Sequence, residues 1–276
     1  MQTAVIGFIG AGNMATSLIG GLLADGWPAD KILACDIDRE KLEKLASHCG
    51  IIACQDNAGL VRQSDIVVLA VKPQHIKEVA LEIAPVVQGK RPLVVSIAAG
   101  IREGSLARWL GGNVPIVRAM PNTPALVQSA ATGLHANALV NEAQKEASES
   151  LLRAVGITVW VDQEELLDAV TAVSGSGPAY FFLLMEMMEK AGTALGLGES
   201  VARLLVEQTA LGAAKLALES DLGPEQLRIR VTSPGGTTEK ALAVLQNAGF
   251  EAVVKQALMA ACERSKELSQ QLGGDD

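Results

Sequence analysis

A short apolar run, Ala4-Val5-Ile6-Gly7-Phe8-Ile9, feeds straight into Gly10-Ala11-Gly12-Asn13-Met14-Ala15, after which Met14, Leu18 and Leu22 recur at helical spacing. A strand that turns through spaced glycines into a helix leaves few folds open. Gly10 takes the tight turn, Gly12 lets the backbone approach a pyrophosphate, and small Ala15 lets the helix pack closely on its strand. The amides at the helix start then face the phosphates, where the helix dipole also favours negative charge. Glycine turns of this kind also serve packing alone. Here Gly26-Trp27-Pro28 ends the helix and Lys31-Ile32-Leu33-Ala34-Cys35-Asp36 reads as a second strand, a context that favours dinucleotide binding.

From the start to about Asp162, strand-like runs alternate with helical patterns, the signature of a parallel sheet wrapped by helices. Strands are expected at 4–9, 32–36, 51–54, 66–71, 93–97, 115–118 and 158–161, with helices beginning near Asn13, Arg39, Asn57, Gln74, Gly104 and Asn141. The stretch 127–135 stays open between a loop and an antiparallel strand. After Asp162 helical periodicity takes over. The expected fold is therefore an α/β parallel-sheet domain of the Rossmann type over 1–162 and an all-α domain over 163–276. One helix is expected over 164–173. Ser174-Gly175-Ser176-Gly177-Pro178 then breaks and restarts the chain, with Pro178 suited to a first helical turn. The helix from Ala179 to Met188 is apolar on nearly every side, and the one over about 200–218 is almost as greasy. So few residues cannot easily surround both, which points to a second subunit; a self-contained bundle with a buried central helix is the competitor. Gly273-Gly274-Asp275-Asp276 reads as a frayed tail.

Composition narrows the class of partner. A chain of 276 residues with a net charge of −8 and no basic cluster is a poor match for nucleic acid or an anionic membrane surface. The longest apolar runs are too short to span a bilayer, and Met1-Gln2-Thr3 leads into the first strand without the features of a secretory signal, so a soluble, cytoplasmic protein is expected. Cys35, Cys49, Cys54 and Cys262 form no CxxC pair, and His48, His75 and His135 are scattered, so no metal site is expected.

Ligands of such sheets collect at the carboxyl ends of the strands. Three of those ends hold unusual residues: Val71-Lys72-Pro73, Ile97-Ala98-Ala99-Gly100 and Ala119-Met120-Pro121-Asn122-Thr123-Pro124. Lys72 could equally be a solvated loop charge, and Asn122 a loop-capping amide. Asp36, closing the second strand, can hydrogen-bond the adenine ribose and would repel a 2′-phosphate, or it could cap the next helix; Arg39 could accept that phosphate if the loop turned. A second candidate site is Val231-Thr232-Ser233-Pro234-Gly235-Gly236-Thr237-Thr238, whose free amides and hydroxyls lead into a helix over 239–246 and suit a small carboxylate. An ordinary turn and cap would look the same.

Taken together, the blocks 7–15, Ala70-Val71-Lys72-Pro73, Arg118-Ala119-Met120-Pro121-Asn122-Thr123-Pro124, Ser174-Gly175-Ser176-Gly177-Pro178-Ala179-Tyr180 and 231–238 resemble the pyrroline-5-carboxylate reductase family, from the first strand to the last helix. The resemblance implies hydride transfer from NADPH or NADH to the imine carbon of 1-pyrroline-5-carboxylate, giving L-proline in the last step of its biosynthesis. It implies a homodimer interlocked through the C-terminal helices, assembling to a decamer. Cofactor contacts would fall on Ile9, Gly10, Ala11, Gly12, Asn13, Met14, Asn57, Ala70, Val71, Lys72, Pro73, Ile97, Ala98 and Ala99, with Asp36 and Asn122 beside them from the strand-end reading. Substrate contacts would fall on Ser233, Gly236, Thr237 and Thr238, with Thr238 nearest the ring nitrogen and Glu164 and Asp221 as acidic neighbours. The family usually takes NADPH, while Asp36 leaves NADH open. A 3-hydroxyacid dehydrogenase is the competing enzyme, but it needs a proton donor, commonly a helix-borne lysine, and here the first lysine after the Ser174–Gly177 turn is Lys190. A nucleotide-sensing oligomer without turnover is the competitor from another class.

Overall fold

The computed structural model describes residues 4–274. The expectations placed on Met1-Gln2-Thr3 and on Asp275-Asp276 lie outside the described residues. The chain divides into two compact units, 1–176 with 260–276, and 177–259.

In the first unit β1 (Ile6–Ile9), α1 (Asn13–Ala24), β2 (Ile32–Cys35), α2 (Arg39–Cys49), β3 (Ile52–Ala53), α3 (Asn57–Gln63), β4 (Ile66–Leu69), α4 (Ile76–Lys90), β5 (Leu93–Ser96), α5 (Glu103–Trp109) and β6 (Ile116–Met120) alternate as expected. The sheet has the order β3-β2-β1-β4-β5-β6 and all of these pairs are parallel. β7 (Ala130–Ala136) then runs antiparallel to β6, pairing Arg118 with His135. A 3₁₀ turn over Thr123–Val127, ending in left-handed Gln128 at φ 54, reverses the chain and settles the open stretch as a strand. α6 (Glu142–Arg153) crosses over to β8 (Gly156–Trp160), which is parallel to β7 and closes the eight-stranded sheet.

The strands β1, β2, β4 and β5 are buried on both faces, which is why they read as continuous apolar runs rather than alternating ones. One face packs Ile6, Phe8, Val68 and Val95 against Leu18, Ile19 and Leu22 of α1. The other packs Ile9, Leu69 and Val94 against Leu60, Ile76, Ile83 and Leu106. Burying each such side chain contributes about 2 kcal/mol.

Two features depart from expectation. The helix foreseen over 164–173 is α7 (Leu166–Val170) continued by a single π turn, Thr171–Gly175, in which the Ser176 amide donates to the Thr171 carbonyl at 2.8 Å. Strands end near Asp162, yet the compact units part only after Ser176, because α7 and this π turn pack with the sheet: a Cβ on Gly133 of β7 would meet Val170 at 2.6 Å.

The second unit holds α8 (Gly177–Ala194), α9 (Glu199–Glu219), α10 (Pro224–Arg230), α11 (Thr237–Asn247) and the start of α12 (Phe250–Gly273). α8 and α9 pack on each other at Gly192, where an added Cβ would stand 3.4 Å from that of Ala202. Their remaining surface is apolar and open: Phe181, Phe182, Leu183, Leu204 and Leu205 are all exposed. From Ala260 onward α12 belongs to the first unit, and Gly273 is its last helical residue rather than part of a frayed tail. Among the described residues no helix is long and apolar enough to cross a membrane.

Candidate active site

β1 runs into Gly10, which sits at φ 101 with its amide donating to the Cys35 carbonyl at 2.8 Å. A side chain there is excluded, since its Cβ would lie 2.7 Å from the Ala70 carbonyl oxygen as well as in the left-handed region. Gly12 is different. A Cβ on it would meet nothing within 4 Å, so the backbone borders open space, and α1 begins there with no capping side chain and no acid in its first turn. Uncapped amides beside an open cradle fit the pyrophosphate of a dinucleotide. Ala11, Asn13 and Met14 surround this cradle in sequence, and Ile9 closes the strand beneath it, buried in the core.

Asp36 is tied into the same turn. One carboxylate oxygen accepts the Ala11 amide at 2.6 Å and the other accepts the Asp38 amide at 2.9 Å. The role of capping α2 falls instead to Asp38, which accepts the Lys41 amide at 3.1 Å. Arg39 turns its guanidinium onto the carbonyls at the end of β3, donating through Nη1 to Cys54 O at 3.1 Å and through Nη2 to Gln55 O. Burial pushes the neighbouring Cys35 thiol up to about 11, with Arg39 opposing, so it stays a neutral apolar group.

The remaining strand ends lie along the same sheet edge. Ala70 donates its amide to Ile9 O at 2.8 Å and Val71, Lys72 and Pro73 follow, with Lys72 exposed. Ile97 donates to Leu69 O at 3.2 Å, Ala98 is buried and Ala99 half-buried. Asn57 opens α3 and donates to Glu82 at 2.9 Å. The buried Asn122 amide is engaged at both ends: Nδ2 donates to Ser174 O at 3.0 Å and Oδ1 accepts the Ala131 amide at 2.9 Å. It clamps the π turn and β7 to the end of β6.

A charged cluster on the sheet face behind these ends was not anticipated. Arg118, buried mid-strand in β6, donates to Glu164 at 2.7 Å, and the same Glu164 oxygen accepts the Glu103 amide at 2.6 Å. Arg102 pairs with buried Asp168, whose other oxygen accepts the Ser265 hydroxyl at 2.7 Å. His135 Nε2 stands 3.6 Å from Glu103. Burial, then the Glu164 charge, raises the Glu103 carboxyl above its ordinary value, and burial lowers Arg118 against the pull of Glu164. The one local signal was an arginine inside the apolar strand Ile116-Val117-Arg118-Ala119-Met120. Glu164 therefore belongs to the first unit as the counter-ion of Arg118.

In the second unit, the loop after α10 leads into α11 through Gly235 at φ 72 and Gly236 as the uncapped start. The Gly235 amide donates to Glu239 Oε2 at 2.7 Å and the Gly236 amide to Ser233 O at 3.0 Å. Ser233 and Thr237 are exposed and Thr238 half-buried. Asp221 sits exposed in the turn between α9 and α10.

A glycine-turn cradle on a parallel sheet, followed in the chain by a helical unit, has the layout of a dinucleotide-dependent oxidoreductase. Residues 5–100 match the family described as NADP oxidoreductase, coenzyme F420-dependent, and residues 164–268 match pyrroline-5-carboxylate reductase dimerisation. The Pseudomonas aeruginosa pyrroline-5-carboxylate reductase is 56% identical over 273 residues, covering 99% of this chain and 100% of that one. The chain belongs to the pyrroline-5-carboxylate reductase family. Among solved structures, the Coxiella burnetii pyrroline-5-carboxylate reductase superposes with a TM-score of 0.94 at 46% identity, covering 97% of this chain and 99% of that one. The Plasmodium falciparum enzyme, solved with NADP bound, gives 0.86 at 31% identity and covers 98% and 99%.

Proposed function

We propose that this chain reduces 1-pyrroline-5-carboxylate to L-proline with NAD(P)H, the last step of proline biosynthesis. The observation that carries the reading is the pairing, in one chain of this family, of the Gly10–Gly12 cradle with the Ser233–Thr238 loop. When bound, the reduced nicotinamide supplies the hydride that reaches the imine carbon.

The chain's own residues bind and orient. The amides from Gly12 to Met14 take the pyrophosphate, and the backbones of Ala70–Pro73 and Ile97–Ala99 line the rest of the coenzyme. Asn57 lies toward the adenosine end. The amides of Gly235, Thr237 and Thr238, with the Ser233 and Thr237 hydroxyls, fix the substrate carboxylate, and Gly236 starts α11 uncapped between them. Thr238 Oγ1 hydrogen-bonds the ring nitrogen. A protonated imine is already a ready hydride acceptor, so positioning two rings and excluding water does most of the work. That suits a loop of amides and hydroxyls without a histidine.

Labour divides along the chain, with 1–162 for the coenzyme and 163–276 for the substrate and for association, although α7 and the end of α12 pack with the sheet. The exposed apolar faces of α8 and α9, within the stretch that matches the dimerisation family, support a homodimer interlocked there; its further assembly to a decamer rests on the family resemblance alone. A cytoplasmic location suits a biosynthetic reductase. Asp221, exposed near the loop in sequence, is assigned a supporting part at the substrate end, whereas Glu164 acts through Arg118.

The deciding experiment follows NADH and NADPH oxidation with 1-pyrroline-5-carboxylate and assays proline as product. Turnover with stoichiometric proline is expected. Folded protein that binds nucleotide without turnover overturns the reading.

A further inference from the structure

We infer that this chain selects NADH over NADPH, because Asp36 is pinned at the ribose end of the glycine turn and the nearby Arg39 is already committed elsewhere. The inference rests on the proposed placement of the coenzyme at the Gly10–Gly12 cradle.

A 2′-phosphate brings close to two negative charges and needs cationic or amide donors to replace its water. The end of β2 offers the opposite. Asp36 accepts the Ala11 amide at 2.6 Å and the Asp38 amide at 2.9 Å, two bonds that hold its carboxylate at the mouth of the turn rather than letting it swing aside. A carboxylate with two oxygens keeps lone pairs for a diol of ribose hydroxyls, which are donors. Asp56 caps α3 through the Gly59 amide at 2.6 Å and Glu82 accepts from Asn57, and both charges act on Cys35, the residue before Asp36.

Arg39, the first basic residue after β2, is a cation that could have offset them. Its guanidinium instead donates to the Cys54 and Gln55 carbonyls, at the end of β3. Those carbonyls close a strand only two residues long, so freeing the arginine would leave them without this partner. Asp36 thus supplies both an attraction for the unsubstituted ribose and a repulsion against the phosphorylated one, the two components that discrimination needs.

Calorimetric titration of the wild-type protein with NADH and with NADPH, without substrate, is the test. The expected NADPH Kd exceeds that of NADH by about tenfold or more, equal to about 1.4 kcal/mol. Asp36→Ser should narrow that ratio at least tenfold, and Arg39→Ala should leave NADPH affinity within about twofold. Equal or tighter NADPH binding by the wild type, or a large loss of NADPH affinity in Arg39→Ala, overturns the inference. Should Asp36→Ser fail to fold, competition of 2′-AMP and 5′-AMP on the wild type reads the same preference: weaker 2′-AMP supports it and stronger 2′-AMP overturns it. NADH binding with this preference but no proline formation would sink the substrate reading and leave the coenzyme inference standing.

Discussion

Asp168 and Ser265 are 97 residues apart in the chain, yet the Ser265 hydroxyl donates to the Asp168 carboxylate at 2.7 Å in a fully buried setting. The same carboxylate pairs with Arg102. Three segments, the start of α5, α7 and the last turns of α12, thereby meet on one side chain. Asp168→Ala strands a largely buried guanidinium and is expected to destabilise the fold by about 3 kcal/mol, whereas Ser265→Ala should cost about 1 kcal/mol. Denaturant melts of the two variants check the ranking; equal costs would refute it.

Glu103 gives the cluster a pH dependence. Its carboxyl is raised above 4.5 in the folded protein, first by burial and then by Glu164. The folded state therefore holds the proton to higher pH than the unfolded chain, and stability falls as pH rises from about 4.5 through the folded value. Glu103→Gln removes that loss. Its Tm should gain on the wild type across this window and keep the gain at pH 7; parallel Tm curves from pH 4 to 8 would contradict the assignment.

Gly10 tolerates no side chain. Gly10→Ala puts a Cβ 2.7 Å from the Ala70 carbonyl at a left-handed φ, so the turn must shift away from the geometry that presents the Gly12 amides. We expect at least tenfold weaker coenzyme binding, with a smaller change in secondary structure, read by titration and circular dichroism together.

Thr238→Ala should lower kcat by about 100-fold if its hydroxyl serves the ring nitrogen, and Thr238→Ser should restore most of the loss. Wild-type kinetics in the alanine variant across pH 6–9 would remove Thr238 from the mechanism.

Glu239 occupies the Gly235 amide at 2.7 Å in the loop assigned to the substrate carboxylate. Removing that internal anion in Glu239→Ala should lower KM for the substrate severalfold while costing α11 about 0.5–1 kcal/mol of helix-start stabilisation. A raised KM would mean that Glu239 organises the loop rather than competing for it.

The alternation of elements was legible because β1, β2, β4 and β5 are buried apolar runs with turn signals at their ends; helix starts at Asn13, Arg39 and Asn57 fall where they were expected. The reversal into β7 was ambiguous because it depends on Gln128 adopting a left-handed conformation that its residue type does not announce. The cradle at Gly10 and Gly12 was readable since glycine itself is the signal. The engagement of Asn122 with Ser174, 52 residues on, was not, since a clamp and a ligand contact call for the same side chain. The pairing of Arg118 with Glu164 and of Asp168 with Ser265 escaped for a related reason: pairing between distant segments leaves no spacing to find.

The return of α12 sets an order of assembly. Leu272 packs among the apolar residues behind the sheet, Ser105 donates to the Gly273 carbonyl at 2.9 Å, and a Cβ on Gly100 would already touch Leu272 at 3.3 Å. The first unit is thus closed by residues made after the whole helical unit. A chain emerging from the ribosome can pair its strands and join Arg102 to Asp168 early, but Asp168 gains its Ser265 partner only once the last helix is made. Truncation within those turns would leave the coenzyme unit, not the helical one, unfinished.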